Sequence, residues 1–255
     1  MKVGWEAAGA SDVGRVRQGN EDAFLVDAPR GIFLVADGMG GHAAGEVASA
    51  VATEAVGGTL VAGVDAGLQA DALEAAMADS LGRAHAAILA YTEAHPEAAG
   101  MGTTMTALVV CTDGTFRLGH IGDSRMYVLR HGELLQVTRD HTWVQDEVDA
   151  GRLTPRSAAR HRLSHILTRA LGADSADKPD FIAGTLLPGD RVLLATDGLT
   201  GMVGDRLIRR ILSSGAPLPE IVGGLIDAAN ERGGRDNITA VVVRVLDPEP
   251  VPGEG

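Results

Sequence analysis

Residues 103–138 read TTMTALVVCTDGTFRLGHIGDSRMYVLRHGELLQVT, and this block decides the fold class. Four runs in it, Thr103–Thr112, Thr115–Ile121, Arg125–Arg130 and Leu134–Thr138, are short and rich in β-branched and other apolar residues, which predicts strands. Asp113-Gly114 and His131-Gly132 are hairpin pairs, so neighbouring strands are expected to run antiparallel. Outward from the block the period changes. Ala43 to about Val56 is an Ala-rich helix expected to stop at Gly57-Gly58. Leu73, Met77, Leu81, Ala84, Ile88 and Tyr91 recur every three or four residues, a helix over about Gln69–Glu93. Downstream, a short helix over Trp143–Ala150, capped by Asp140 or Thr142 and stopped by Gly151, precedes another starting at Thr154-Pro155. Arg191–Ala195 reads as a strand, Pro219–Glu231 as a helix and Ile238–Leu246 as a strand of near-continuous valine. Strands and helices therefore arrive in blocks, which favours an α+β layered domain over a doubly wound parallel sheet. One domain is expected over residues 1–246, with 247–255 a disordered tail carrying Pro248, Pro250 and Pro252.

At 255 residues and 45% hydrophobic, the chain can bury a core, and with so few aromatics (3%) that core must be built from Val, Leu, Ile and Ala. A net charge of -12 argues against a nucleic-acid partner, because phosphate backbones attract basic surfaces. The single Cys111 cannot form an internal disulfide, and the stretch after Met1 lacks an apolar leader core, which points to the cytoplasm. Val47–Val64 carries Glu54 among small residues, so no membrane span is expected. Lys2 and Lys178 are the only lysines, and neither lies in a nucleotide-binding or kinase motif.

Two segments are alike: IFLVADGMGG at Ile32–Gly41 and VLLATDGLTG at Val192–Gly201. Each is an apolar strand ending at an aspartate followed by glycine. Three more acidic turns, Asn20-Glu21-Asp22, Gly122-Asp123-Ser124 and Asp236-Asn237, lack matching lysines. Carboxylates crowded at one sheet end repel each other and raise each other's pKa unless a cation intervenes, so the pattern suits hard divalent ions held by oxygen. Arg17, three residues before Asn20, would add a guanidinium fork, and a fork beside divalent ions makes a phosphate site.

The ordered segments SDVGRVRQGNEDAF (Ser11–Phe24), VADGMGGHAAGEVAS (Val35–Ser49), GTTMTALVV (Gly102–Val110), HIGDSRMYVLRHGEL (His120–Leu134), HILTRALG (His165–Gly172), LLATDGLT (Leu193–Thr200) and GGRDNITAVVV (Gly233–Val243) resemble one family. It is the metal-dependent PPM or PP2C-type protein serine/threonine phosphatases, bacterial branch. The resemblance spans roughly residues 10–245 and implies two antiparallel β-sheets flanked by helix pairs, an α-β-β-α sandwich with metals in a cleft at one end. It implies that Asp37 bridges two Mn²⁺ or Mg²⁺ ions, with the Gly38 carbonyl on the second and Asp197 and Asp236 on the first. Glu21 and Asp22 are implied to hold metal-bound waters, Asp123 with Asp197 a loose third ion, and Arg17 the substrate phosphate. The implied reaction is direct attack of an acidified water on phosphorus, without a phosphoenzyme. Where animal-type members carry a histidine after Asp-Gly, this chain has Met39; His42 is the nearest imidazole, and it and a metal-bound water are the candidate proton donors.

Arg152, Arg156, Arg160, Arg162 and Arg169, with His161 and His165 and no acid among them, fall where the family has its mobile flap, about residues 143–175. Arg156, Arg160 and Arg162 are expected to draw acidic or phosphorylated protein segments toward a negative body. By resemblance, the partners are phosphorylated proteins including a Ser/Thr kinase of the Hanks type, and the chain is expected to be a free, soluble, monomeric catalytic unit.

Two other readings compete. Cys111–Arg117 spells CxxGxxR, the spacing of cysteine-based tyrosine phosphatases, but Asp113 would repel the phosphate and both flanks alternate like hairpin strands. A non-enzymatic phosphoprotein-binding or partner-switching module on the same fold is the alternative function; loss of Asp37, Asp197 or Asp236 would mark it, and all three are present.

Overall fold

A computed structural model of the chain describes residues 3–40, 44–173 and 178–247. The strands are β1 (Trp5–Asp12), β2 (Asp22–Asp27), β3 (Ile32–Met39), β4 (Gly102–Thr103), β5 (Met105–Val110), β6 (Thr115–Ile121), β7 (Arg125–Arg130), β8 (Glu133–Gln136), β9 (Asp180–Thr185), β10 (Arg191–Ala195) and β11 (Ile238–Val245). The helices are α1 (Ala44–Asp65), α2 (Ala70–Ala94), α3 (Trp143–Asp149), α4 (Pro155–Ala158), α5 (Asp197–Thr200), α6 (Asp205–Leu212) and α7 (Leu218–Asn230). One sheet runs β1-β11-β10-β7-β8 and the other β2-β3-β5-β6-β9, with β4 added to the end of β3; every pairing is antiparallel.

Side-chain alternation sorts the core into three apolar layers. Ile32, Leu34 and Ala36 of β3 point outward onto α1 and α2, beside Ala52, Val56, Leu60, Leu81 and Ile88. Phe33 and Val35 point the other way and meet Val192, Leu194, Val241 and Val243 between the sheets. Leu193 and Ala195 of β10 and Ala240 and Val242 of β11 turn outward against Leu212, Ile221 and Leu225 of α6 and α7. A strand buried on both faces has no polar side to show, which is why β3 over Ile32–Ala36 and β11 over Ala240–Val243 read as apolar runs. Each such Val or Leu contributes about 1.5–3 kcal/mol by leaving water. The expected sandwich of two antiparallel sheets flanked by helix pairs is the fold found.

The helix expected to end at Gly57-Gly58 continues to Asp65. Gly57 is helical and faces the sheet, where a Cβ would lie 2.9 Å from Leu25 Cδ2; it sets a close helix–sheet approach rather than a stop. By length and composition α1 alone among the described helices could cross a membrane, yet its Ala48, Ala52, Val56 and Leu60 are fully buried in this core. The run expected over Thr103–Thr112 breaks at Thr104, between β4 and β5. Thr142 proves to be the cap of α3, accepting from Gln145 N at 3.2 Å, and Thr154 caps α4 reciprocally with Ser157. The flap carrying α3 and α4 is stitched at its root by Trp143 N donating to Ile166 O (2.9 Å) and by the paired backbones of Thr103 and Leu171. Residues 174–175 of the expected flap, His42, and residues 248–255 of the expected tail lie outside the described residues.

Candidate active site

The antiparallel register places Asp22 of β2 directly across from Asp37 of β3. Two threonines clamp the Asp37 backbone: Thr104 Oγ1 accepts from Asp37 N, and Thr103 Oγ1 and Thr104 N donate to Asp37 O, each at 2.9 Å. Thr104 Oγ1 also meets Ser124 Oγ at 2.7 Å, which ties β3 to the loop carrying Asp123. This is the physical reason for the break at Thr104: its amide and hydroxyl serve the Asp37 peptide.

The second sheet enters through Asp22. Its Oδ2 accepts from Thr196 Oγ1 (2.8 Å) at the end of β10 and from Thr239 Oγ1 (2.6 Å) in β11, so one carboxylate brackets both sheets. Its Oδ1 is buried with no partner among the described residues. Asn237 pins the long β1–β2 loop: its Oδ1 accepts from Glu21 N (2.8 Å), and its Nδ2 donates to Val13 O (3.0 Å) and Gly19 O (2.9 Å). That pin holds Arg17 at the rim, where its half-exposed guanidinium (49%) donates from Nη2 to Asp236 Oδ2 at 2.7 Å.

Arg17, Glu21, Asp37, Gly38, Asp123, Asp197 and Asp236 all line one cavity of about 300 Å³, together with Met39, Gly40, Thr104, His165 and Leu167. Asp22 stands behind Asp37 and is not part of the wall. Burial first, then the charges of Asp197, Asp22, Asp123 and Asp236, push the Asp37 carboxyl well above the ordinary carboxylate range. Asp123 is raised in the same way by burial and then by Asp197 and Asp140, against the pull of Arg125. Burial and Asp236 raise Asp197. Asp22 is raised by burial to about 7 even though two threonine hydroxyls favour its charged form. Glu21 is raised by burial against the opposing charge of Arg17.

The residues fit hard divalent ions. Every donor is an oxygen, Asp22 leaves a buried oxygen unsatisfied, and the packed carboxylates repel until positive charge joins them. Among the described residues no three His, Cys, Asp or Glu side chains already converge on one ion. Such ions would keep water in their shells, which suits Mg²⁺ and Mn²⁺ better than a closed cage.

Leu167 and His165 are the flap residues on the cavity wall. Arg156, Arg160 and Arg162 are exposed and off that wall. Arg152 pairs with Glu147 (2.6 Å), and Arg169 donates to Asp180 Oδ1 (3.0 Å) beside His141, whose backbone N–H donates to Gly122 O at 2.8 Å. Sequence reasoning missed the clamp and the pins: Thr104, Ser124, Thr196, Thr239 and Asn237. The sequence signal available for them is a polar residue, Thr or Asn, breaking or flanking an otherwise apolar strand beside each acid.

A family model for protein phosphatase 2C matches residues 13–241. The serine/threonine protein phosphatase PstP of Mycobacterium tuberculosis is 41% identical over 253 residues, an alignment covering 94% of this chain; the chain spans only 45% of the length of that relative. The protein phosphatase PhpP of Streptococcus pneumoniae is 38% identical over 239 residues, covering 91% of this chain and 94% of PhpP. The crystal structure of the catalytic domain of PstP, in complex with 2 manganese ions, superposes with a TM-score of 0.85 at 39% identity and covers 97% of this chain and 100% of its own. With the matched region taking in strands of both sheets and every acid of the cavity, the chain belongs to the protein phosphatase 2C family.

Proposed function

We propose that this chain removes phosphate from phosphoserine and phosphothreonine in proteins, working as a monomeric catalytic domain over residues 1–246 in the cytoplasm and opposing a Ser/Thr kinase. Asp37, the Gly38 carbonyl, Asp197 and Asp236 would hold two Mn²⁺ or Mg²⁺ ions, Glu21 and Asp22 would support the second through water, and Asp123 with Asp197 would hold a third. Bound there, the ions would bring the pKa of water toward 7 and offset the charge of the phosphate. Arg17 offers the phosphate a bidentate fork at the cavity mouth, and Asp236 keeps that fork oriented. The threonine clamp fixes the peptide of Asp37, so its carboxylate is set before substrate arrives. Arg156, Arg160 and Arg162, exposed on the flap, are free to meet acidic protein segments. His165 on the wall joins His42 as an imidazole able to protonate the leaving alkoxide.

The observation that carries the reading is the convergence of five acids and one arginine, from positions 17 to 236, on one cavity. The test is phosphate release from a phosphothreonine peptide. Turnover is expected with Mn²⁺, abolished by EDTA or by Asp37→Ala, and insensitive to iodoacetamide. Peptide binding by the wild-type protein without release would replace this reading with the non-enzymatic module.

A further inference from the structure

A second concavity, separate from the acid-lined one, lies beside the α6–α7 pair. It has a volume of about 740 Å³ and is walled by Arg206, Arg209 and Arg210 of α6 and by Arg232 in the loop after α7. Arg209 is occupied, donating to Gly132 O and standing 3.6 Å from Glu133 Oε1. Arg206, Arg210 and Arg232 are exposed and have no carboxylate within ion-pair distance among the described residues, while Arg232 Nη1 donates to Ala228 O (2.7 Å). Arg206 and Arg210 are one helical turn apart, about 6 Å. The single acid on the wall, Asp205, accepts from Tyr127 Oη at 3.4 Å; Glu231 flanks Arg232 without changing the positive balance.

This groove connects to the catalytic cavity along the chain. Arg232 opens the loop that ends in Asp236, the partner of Arg17. In that loop Gly233 and Gly234 take φ of +122° and +46°, leaving a floor without side chains. Two arginine stems lie over it: a Cβ on Gly234 would sit 2.9 Å from Arg15 Cγ, and one on Gly233 would sit 3.8 Å from Arg235 Cγ. Arg15 N is also anchored to Gly234 O at 2.7 Å.

We propose that Arg17, Arg15, Arg235, Arg232, Arg210 and Arg206 form one track that docks the acidic flank of a phosphoprotein substrate whose phosphorylated residue occupies the cavity. The inference rests on the hydrolase reading above and adds a direction to it: the substrate chain leaves the cavity toward α6. An acidic peptide fits better than a nucleic acid or an anionic membrane. The track starts at the phosphate-binding arginine, while the rest of a body with net charge -12 repels an extended polyanion or a charged sheet.

The test compares two phosphothreonine peptides that differ in one flank, run of glutamates against run of glutamines, with p-nitrophenyl phosphate as a small reference. Wild type with Mn²⁺ at low salt should prefer the acidic peptide by about tenfold in kcat/KM, through KM alone, and the preference should fade in high salt. The triple substitution Arg206→Gln, Arg210→Gln, Arg232→Gln should cut the preference to about threefold or less and leave turnover of p-nitrophenyl phosphate unchanged. Equal KM for both peptides with wild type, or a preference kept by the triple variant, overturns the track while leaving the hydrolase intact. If wild type releases no phosphate from either peptide, the hydrolase reading fails instead, and anisotropy of a fluorescent acidic-flank peptide still decides the docking. A triple variant that loses binding to single-stranded RNA or phosphatidylserine vesicles but keeps the peptide preference assigns the track elsewhere and overturns the proposal. Should the triple variant fail to fold, the single substitutions Arg206→Gln and Arg210→Gln, both at exposed positions, take its place: a reduced preference supports the track and a full one overturns it.

Discussion

The ends of β3 and β10 carry nearly the same letters, Ala36-Asp37-Gly38 and Thr196-Asp197-Gly198, yet fold differently. β3 runs through its aspartate as a strand to Met39, with the Asp37 peptide clamped by Thr103 and Thr104. β10 stops, and Asp197 becomes the first residue of α5, its carbonyl accepting from Gly201 N at 2.6 Å. Neither glycine has a positive φ, so neither makes the turn that Asp-Gly suggests. What they share is crowding. A Cβ on Gly38 would strike the carbonyl oxygen of Gly45, and one on Gly198 the carbonyl oxygen of Asn237. The dipeptide encodes a close backbone approach that brings a carboxylate to a seam, whatever the local fold.

The strongest way to break this equivalence is to neutralise each acid. Asp37→Asn and Asp197→Asn should each lower kcat by about a thousandfold or more, since each removes charge needed for ion binding. A variant of either that kept a tenth of wild-type turnover would show that the two ends are not alike in function.

Acidity offers the next comparison. Between the ordinary carboxylate range and about 7, the folded metal-free chain keeps a proton on Asp22 that the unfolded chain has released. Stability in EDTA should therefore fall with rising pH through that window, by at least about 1.4 kcal/mol per pH unit, with the raised Asp37, Asp123 and Asp197 carboxyls steepening the slope. Mn²⁺ replaces the proton, so the Tm difference between Mn²⁺ and EDTA should widen as pH rises toward 7. A difference that stays constant with pH would refute the buried-proton account.

Gly38→Ala and Gly198→Ala should each cost at least about 2–3 kcal/mol by overpacking against rigid backbone, measured by denaturant unfolding. Gly19→Ala, where a Cβ meets nothing within 4 Å, should stay within about 0.5 kcal/mol of wild type. A tolerated alanine at only one of the two sites would confine the crowding argument to the other.

The smallest effect should separate the two ends. Thr104→Val removes the hydroxyl that joins Asp37 N to Ser124 Oγ and should cost about 1–2 kcal/mol, with Thr104→Ser restoring most of it. It should lower kcat by displacing Asp37 and leave the helix at Asp197 untouched. An unchanged kcat would mean the clamp serves stability alone.

Much of this was legible in the sequence. Strands β6, β7 and β10 fall where the short apolar runs put them, because each is hairpin-linked or largely buried. The acids were legible as a set because lysine is nearly absent around them. Less legible were β9, an edge strand whose DFIAGT mixes Gly and Asp into its pattern, and α6, whose DRLIRRIL buries only Ile208 and Leu212 beneath a row of arginines. Gly57 misled in the other direction: a helix-breaking residue by propensity, it was retained for a contact with the sheet that no local pattern displays. Thr196, Thr239 and Asn237 escaped notice because their partners lie far along the chain, as Asn237 does from Val13.

β1 lies antiparallel to β11 along its whole length, from Trp5 opposite Val245 to Asp12 opposite Ile238. Among the described strands β1 is made first and must wait for β11, which is made last. Neither the guanidinium-to-Asp236 contact nor the Asn237 anchor can exist on a half-made chain. Until β11 closes the sheet, the acid-lined cavity therefore has neither Asp236 nor the Asn237 anchor in place. Clipping that strand from the finished protein should undo the cavity and uncover Phe33 and Val35, which pack against its Val241 and Val243.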